Sequence, residues 1–175
     1  INGQSRSGAG AVDTTGAVTA WNPSPDGRAV SIIATTNKVY MAGWFNNVGS
    51  TPMRNLAVVD PTTGALDTSF DAQLDGAVRT MTLSGSTLFI GGDFANAGGA
   101  AHNNVASLNA TTGAINSAFQ VDTGVGTQIW SFLEAIAVVG NRVYIGGYFG
   151  QVNGQTRNFI AAVDKTTGAL DTGFN

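Results

Sequence analysis

The sequence predicts an all-β protein made of repeated four-stranded units, and two observations support this fold class. The first is a motif in which an apolar strand leads to two small residues, one variable residue and a phenylalanine. It occupies residues 39–45, 88–94 and 143–149. The second is a Thr-Thr-Gly-Ala turn that follows each motif at the same distance and also stands near the start of the chain. The turns are residues 14–17, 62–65, 111–114 and 166–169. Constant spacing of this kind indicates that every copy is the same supersecondary unit.

The middle copy shows the four predicted strands most clearly. They are residues 78–83, 87–90, 105–109 and 114–119. Ser84-Gly85-Ser86 forms the first turn, and a loop rich in Ala, Gly and Asn connects the second strand to the third. Glycine supplies the positive φ that such turns need, while Ser and Thr hydroxyls bond the local backbone.

The second strand of each copy is apolar at consecutive positions, as in Leu88-Phe89-Ile90. A strand of that composition is buried on both faces. Four short strands per repeat with both faces buried are typical of the blades of a β-propeller. A parallel β-helix is the alternative, but its rungs are shorter and do not place four strands between identical turns.

The aromatic residues of the repeat are predicted to pack between adjacent blades. Two sets are involved, one after the small pair that ends the second strand and one that closes each copy. The first set is Phe45, Phe94 and Phe149, which follow Gly43, Gly92 and Gly147; the second is Trp21, Phe70, Phe119 and Phe174.

The repeats divide the chain into one partial blade and three full ones. The predicted units are a partial blade of outer strands at 1–27, blades at 28–76 and 77–122, and a blade with a short insertion at 123–175. The insertion arises because 49 residues separate Gly43 from Gly92 but 55 separate Gly92 from Gly147, and the extra residues lie within 121–130. Closed propellers typically need about four to eight blades. We therefore expect a segment of a larger or oligomer-completed propeller, which contacts protein through its incomplete blade edges.

Composition excludes several classes of function. Only 11% of the residues are charged and the net charge is −3, whereas nucleic-acid binding needs a basic face. No apolar run approaches the ~20 residues of a membrane helix, so no membrane insertion is expected. Cysteine is absent, which excludes disulfides and thiolate metal sites.

Residues for acid–base or metal chemistry are scarce. His102 is the single histidine and takes the loop position of Arg157 in the next copy, so we expect it to face solvent. One histidine cannot by itself build a metal site. We predict no metal, no cofactor and no catalytic residues. The less favoured alternative, a propeller enzyme, would have only Glu134 and Arg79 available in a central channel.

Most of the aspartates occupy repeat positions that assign them a structural role. Asp13, Asp60 and Asp164 precede the Thr-Thr-Gly turn, and Asp67 and Asp171 open the predicted fourth strand. An Asp side chain at such a place accepts hydrogen bonds from nearby backbone N–H groups.

A few residues depart from the repeat and are candidates for ligand binding. Trp44, Asp93 and Tyr148 share the variable position after the small pair, which suggests an exposed rim. Trp130 lies in the insertion, and Glu134 interrupts a first strand. Because exposed aromatic rings stack on sugar faces, a glycan-binding, lectin-like propeller is the alternative to a protein-binding scaffold.

The third copy resembles the bacterial Delta-60 β-propeller repeat family and, more loosely, Kelch-type blades. The residues that carry the likeness are Gly146, Gly147, Phe149, Asn153, Gly154, Arg157, Asn158, Asp164, Gly168, Leu170, Asp171, Thr172 and Phe174. The other copies depart from the pattern at Ala42, His102, Asn109 and Asn116. The resemblance implies a secreted or cell-surface bacterial scaffold for adhesion, assembly or protein binding, and it implies no catalytic residues.

Overall fold

The structure, a computed structural model, describes residues 1–124 and 130–174. Within these residues the chain is all β, and each full copy of the repeat forms one three-stranded antiparallel sheet and one short hairpin. No described segment is a helix long and apolar enough to cross a membrane. Residues 125–129 of the predicted insertion lie outside the described residues.

The strands follow the same order in all three copies. The first copy contains β1 (Arg28–Ala34), β2 (Val39–Trp44), β3 (Asn47–Val48), β4 (Thr51–Pro52) and β5 (Leu56–Val59). The second contains β6 (Ala77–Ser84), β7 (Thr87–Asp93), β8 (Asn96–Ala97), β9 (Ala100–Ala101) and β10 (Val105–Asn109). The third contains β11 (Phe132–Val139), β12 (Arg142–Tyr148), β13 (Gln151–Val152), β14 (Gln155–Thr156) and β15 (Ile160–Asp164).

The three sheets have identical topology. Strand order is β1-β2-β5 in the first sheet, β6-β7-β10 in the second and β11-β12-β15 in the third, with the long apolar strand always in the middle. Each small hairpin lies between the middle and third strands, where the sequence predicts only a loop.

The predicted fourth strand is wrong as a continuous strand. In its place a single bridge pairs the third strand with one following residue, at Val59–Leu66, Leu108–Ile115 and Val163–Leu170. The chain turns immediately after the bridge because the next side chain caps the backbone: Asp67 Oδ1 accepts hydrogen bonds from the N–H and hydroxyl of Ser69 at 3.1 and 2.6 Å. Short polar side chains of this type favour turns over strands.

A β-bulge interrupts the pairing of the first two strands at the same place in every sheet. It leaves one extra residue on the first strand, namely Val30, Arg79 or Glu134. The second glycine of the motif lies opposite this bulge. A Cβ added at Gly92 would collide with the carbonyl oxygen of Ala77, and one at Gly43 with that of Arg28. This close backbone approach explains why the motif keeps its second glycine, while Ala42 can replace the first.

The sheets stack face to face in chain order, and their first strands (β1, β6 and β11) lie against one another. Three apolar layers result: one between residues 1–27 and the first sheet, one between the first and second sheets, and one between the second and third. Phe45, Phe94 and Phe149 are buried in these layers, at 3%, 2% and 0% exposure, as predicted.

The phenylalanines that close the first and second copies lie in the layer between their own sheet and the following one. Phe70 meets Tyr40 edge to face with ring centroids 6.1 Å apart, and Phe119 meets Phe89 in the same way at 5.4 Å. These four rings are buried. Trp21 plays the same part for residues 1–27, lying against the first sheet and donating its indole N–H to the Asp60 carbonyl at 3.0 Å.

Candidate functional site

Three positions at one end of each sheet carry different residues in the three copies. They are the first residue of the first strand, the bulge residue two positions after it, and the variable residue after the glycine pair, which pairs with that first residue. These trios are Arg28, Val30 and Trp44; Ala77, Arg79 and Asp93; and Phe132, Glu134 and Tyr148. Within a repeat that keeps its turns and its core, this end is where the copies differ chemically.

Arg79 occupies the centre of this end and forms ion pairs with two carboxylates. Its Nε and Nη2 lie 2.9 and 2.8 Å from Asp93 Oδ2, in the same sheet. Its Nη1 lies 3.4 Å from Glu134 Oε1, in the next sheet. The guanidinium therefore connects the second and third sheets.

Aromatic rings extend this arrangement on both sides. The Arg79 guanidinium lies 5.1 Å from the centroid of the Trp44 ring in the first sheet and 4.3 Å from that of Phe132 in the third. Phe132 stacks on Tyr148 at 5.7 Å with an interplanar angle of 14°. Cation–π contacts of this geometry are attractive. We call Trp44, Arg79, Asp93, Phe132, Glu134 and Tyr148 the rim ladder.

The rim ladder brings together four of the five candidate ligand residues, Trp44, Asp93, Glu134 and Tyr148. Trp130 takes no part in its contacts within the described part of the chain, and its side chain is 57% exposed. The ion pairs of Arg79 were not predicted, although Arg79 lies only two residues after Ala77, which pairs with Asp93.

The side chains of the rim ladder are engaged mainly with one another, which limits the chemistry that they can perform. Its two carboxylates share one guanidinium, and its three rings, Trp44, Phe132 and Tyr148, already face a cation or another ring. Among residues 1–124 and 130–174, no group of three or more His, Asp or Glu side chains is placed to hold a metal ion.

The prediction that His102 faces solvent is wrong. Its side chain is 2% exposed, and its Nδ1 has no hydrogen-bond partner within the described residues. Burial lowers the pKa of the imidazole, because the charged form loses hydration. The equivalent Met53 is also buried, whereas Arg157 at the same position of the third copy is partly exposed, so burial at this position differs between the copies.

The aspartates before the Thr-Thr-Gly turns have the contacts predicted for them. Asp60 Oδ1 accepts hydrogen bonds from the N–H groups of Thr62 and Thr63 at 2.9 and 2.7 Å. These bonds, that of Thr63 above all, lower the pKa of Asp60. Asp164 is bonded to Thr166 and Thr167 in the same manner.

Sequence reasoning missed two further aspartates that hold the hairpins in place. Asp26 accepts hydrogen bonds from the backbone N–H groups of Asn46 and Asn47 at 2.8 and 3.1 Å. Asp75 does the same for the second hairpin, from Ala95 and Asn96, both at 2.9 Å. The signal was present as an Asp-Gly pair directly before the first strand of the first and second copies.

The third copy has lost this aspartate, and Trp130 stands in its place. Trp130 precedes Phe132 by two residues, as Asp26 precedes Arg28 and Asp75 precedes Ala77. The backbone carbonyl of Gly124 supplies the missing acceptor, taking a hydrogen bond from Gly150 N at 3.2 Å. Trp130 therefore does not hold the hairpin in place, which is the role of Asp26 and Asp75 in the other copies.

The outer face of the third sheet is apolar and uncovered. Ile160 on β15 is 55% exposed, whereas its equivalents Leu56 and Val105 are 1% and 0% exposed because the next sheet covers them. The ring pair of Tyr144 and Phe174 repeats the geometry of the buried pairs, with centroids 5.4 Å apart, yet both rings are partly exposed.

The opposite face of the stack is half covered. Residues 1–27 pack on its outer part through Trp21, while Val30 and Ile32 on β1 are 40% and 49% exposed. Met81, the equivalent of Ile32 in the second sheet, is 7% exposed because it lies against the first sheet. Each end of the stack therefore exposes residues whose equivalents are buried between sheets elsewhere in the stack.

One family model matches part of the chain. Residues 141–174 match a β-propeller domain of unknown function, DUF5122. The matched segment runs from the start of β12 through the last turn, which is where the repeat pattern is most complete. No curated protein sequence matches the chain. The match and the order of the sheets establish the fold as β-propeller repeats, while the finer likeness to Delta-60 or Kelch-type blades stays a prediction.

Proposed function

We propose that this β-propeller segment is a non-catalytic scaffold that binds protein through its uncovered sheet faces, and that its partner is a second copy of the same chain. The observation that carries the proposal is the exposure of Ile160, when Leu56 and Val105 are buried at the same position of the other sheets. Burying exposed apolar surface such as that of Ile160 is favourable, by roughly 25 cal/mol per Å².

The chain itself supplies a surface that matches this face. Inside the stack, one face of each sheet packs on the opposite face of the sheet that follows it in the chain. The exposed face of the first sheet, which carries Val30 and Ile32, is apolar and corresponds to the faces that are buried in this way. Residues 1–27 fill the outer part of that face. We therefore place the contact along the first strands, with β11 of one copy against β1 of the other.

The charges at the two ends also complement each other. Between the second and third sheets, the bulge residue Arg79 lies next to Phe132, the first residue of the following strand. Carried over to the proposed contact, this relation brings the bulge residue Glu134 next to Arg28 of the second copy. The Glu134 side chain is 62% exposed and carries the opposite charge. Complementary charges of this kind set register and partner choice more than affinity.

A charge-swap experiment tests this arrangement. Two variants, Arg28→Glu and Glu134→Arg, are purified separately and then mixed, and their masses are measured by sedimentation velocity. We expect wild type to associate, each variant alone to associate at least about fivefold more weakly, and the mixture to recover, because the contact is head to tail. Wild type that stays at 17.8 kDa, or variants that associate as well as wild type, would refute the proposal.

The non-catalytic part of the proposal is supported by the state of the polar groups. The carboxylates of the turns are bonded to backbone N–H groups, and those of the rim ladder to Arg79. The resemblance to a bacterial repeat family supports a location outside the cell, in adhesion or assembly. Accessibility of the protein to added protease on intact cells of its source checks that location.

A further inference from the structure

A cleft of about 430 Å³ lies between the second and third sheets, at the one junction that contains the insertion. It is lined by Asp93, Phe94, Ala95, Asn103, Asn104, Thr123, Gly124 and Ser131. Small-molecule sites typically have volumes of ~300–1,000 Å³. The cleft is therefore large enough for a ligand of one or two sugar rings.

The cleft lies at the junction where Trp130 takes the repeat position of Asp75. At the junction of the first and second sheets, Asp75 holds the linker against the hairpin by two backbone hydrogen bonds. At the second junction no described residue provides such a side chain, and the first part of the linker is held by Gly124 and Asp122, whose carbonyls accept from Gly150 and Asn153 at 3.2 and 2.8 Å. The cleft lies beside this part of the linker.

The inner wall of the cleft is polar, buried and fixed in position. Asn104 and Thr123 are 7% and 1% exposed. The Asn104 amide donates to Thr123 Oγ1 at 3.1 Å and to Ser131 Oγ at 2.7 Å, which joins the two sheets. Thr123 in turn donates to the Asn103 carbonyl at 3.2 Å. Polar groups held in this way are preorganised for a ligand, which lowers the entropy cost of binding.

Asp93 gives the cleft its charge character. Arg79 engages one oxygen of this carboxylate, Oδ2, and Oδ1 makes no hydrogen bond to the described residues. A carboxylate that is already neutralised by a guanidinium offers an acceptor for a hydroxyl group more than a site for a free cation. Because Arg79 is shared with Glu134, this group of three charges is net negative and disfavours a ligand that is itself an anion.

An exposed aromatic residue neighbours the cleft in the sequence. Trp130 directly precedes the lining residue Ser131, and its side chain is 57% exposed. Carboxylate and amide groups that accept and donate to hydroxyls, together with an exposed ring that packs on C–H faces, are what a sugar requires.

We infer that this cleft binds a neutral, polyhydroxylated ligand, a mono- or disaccharide unit of a glycan, with Asp93 and Asn103 as its hydroxyl partners and Trp130 as the stacking surface. This goes beyond the protein-binding scaffold proposed above and does not depend on it. The site is at an internal junction, so it is complete within one copy of the chain.

The test is a titration of the ¹⁵N-labelled chain followed by NMR. The probes are N,N′-diacetylchitobiose and maltose as neutral saccharides and N-acetylneuraminic acid as an anionic one. We expect a neutral probe to shift the side-chain amides of Asn103 and Asn104 and the Trp130 indole N–H, with Kd of about 1 mM. The anionic probe should bind at least about fivefold more weakly.

Two variants make the test specific. Asn103→Ala removes a lining amide, together with the hydrogen bond that its Nδ2 donates to Asp122 Oδ1 at 2.7 Å, and should weaken binding about tenfold. Asn158→Ala, the same residue at the same repeat position of the third copy, lies outside the cleft and should bind like wild type. The inference is overturned if neither neutral probe shifts these signals at 10-fold the expected Kd, if the anionic probe binds most tightly, or if both variants lose binding equally.

Discussion

The position shared by Met53 and His102 lies beneath the hairpin of its copy and is buried in both. Methionine suits such a site because it is apolar and adapts to irregular spaces. Histidine at the same place has no hydrogen-bond partner for Nδ1 among the described residues and has a lowered pKa because burial disfavours its charged form. Among the two buried residues at this position, His102 therefore introduces a pH dependence that Met53 does not have.

We predict that His102→Met makes the protein less sensitive to mild acid. The folded state lowers the pKa of His102, so its contribution is fully present above the unfolded value of about 6.5 and is lost as pH falls below it. Urea unfolding at pH 7.5 and pH 5 should show a smaller drop in the free energy of unfolding for the variant than for wild type. The reverse change, Met53→His, is the matched control and should add acid sensitivity. Equal drops in all three proteins would contradict the assignment.

These residues also show what a sequence can and cannot predict. The role of Asp60 was predicted because an Asx turn is local: the carboxylate and its donors are two and three residues apart. The burial of His102 was not predicted, because it depends on a hairpin folding over the position, which neighbouring residues do not reveal. Comparison with Met53 in the aligned copy was the signal that could have found it.

At the scale of elements, the bulge of each first strand explains a feature of the sequence motif and also positions a residue that contacts neighbouring sheets. The extra residue needs close backbone approach and hence the second glycine of the motif, and it places Arg79 between two neighbouring sheets. The strongly patterned strands were predicted nearly to their ends, since 105–109 is β10 and 78–83 lies within β6. The fourth strand and the small hairpins were not, because pairs of two residues leave no periodicity to read.

We predict that Arg79→Ala destabilises the protein by about 1–2 kcal/mol, through loss of two cation–π contacts and a partly buried ion pair. Arg79→Lys keeps the charge but not the planar group, so its loss should be intermediate. Arg28→Ala is the control, since this side chain is exposed at the end of the series, 5.7 Å from the Trp44 ring, and should cost under ~0.5 kcal/mol. Chemical denaturation measures all three, and an Arg79→Ala protein as stable as wild type would show that the ladder does not join the sheets.

At the scale of the whole molecule, the described sheets form a one-dimensional repeat in which the main contacts join each sheet to its neighbours. Stability in such arrays comes largely from the interfaces between units, and terminal units need a polar outer face to remain soluble. The third sheet has no such polar cap, since Ile160 and Phe159 are 55% and 51% exposed. Phe159 also adopts φ 69° where the other copies have Asn55 and Asn104, a conformation that asparagine tolerates better than phenylalanine.

We therefore predict that Ile160→Glu abolishes association without unfolding the protein. The side chain is already exposed in a single copy, so the substitution should change the free energy of unfolding by under ~0.5 kcal/mol. In an assembled pair the same carboxylate would be buried without a partner, which proteins avoid. Light scattering after gel filtration, over a hundredfold range of concentration, should give 17.8 kDa for the variant throughout and a rising mass for wild type. Ala101→Glu adds the same charge on the exposed hairpin β8–β9 and should associate like wild type; loss of association in this control as well would mean that added charge, and not the face of the third sheet, is responsible.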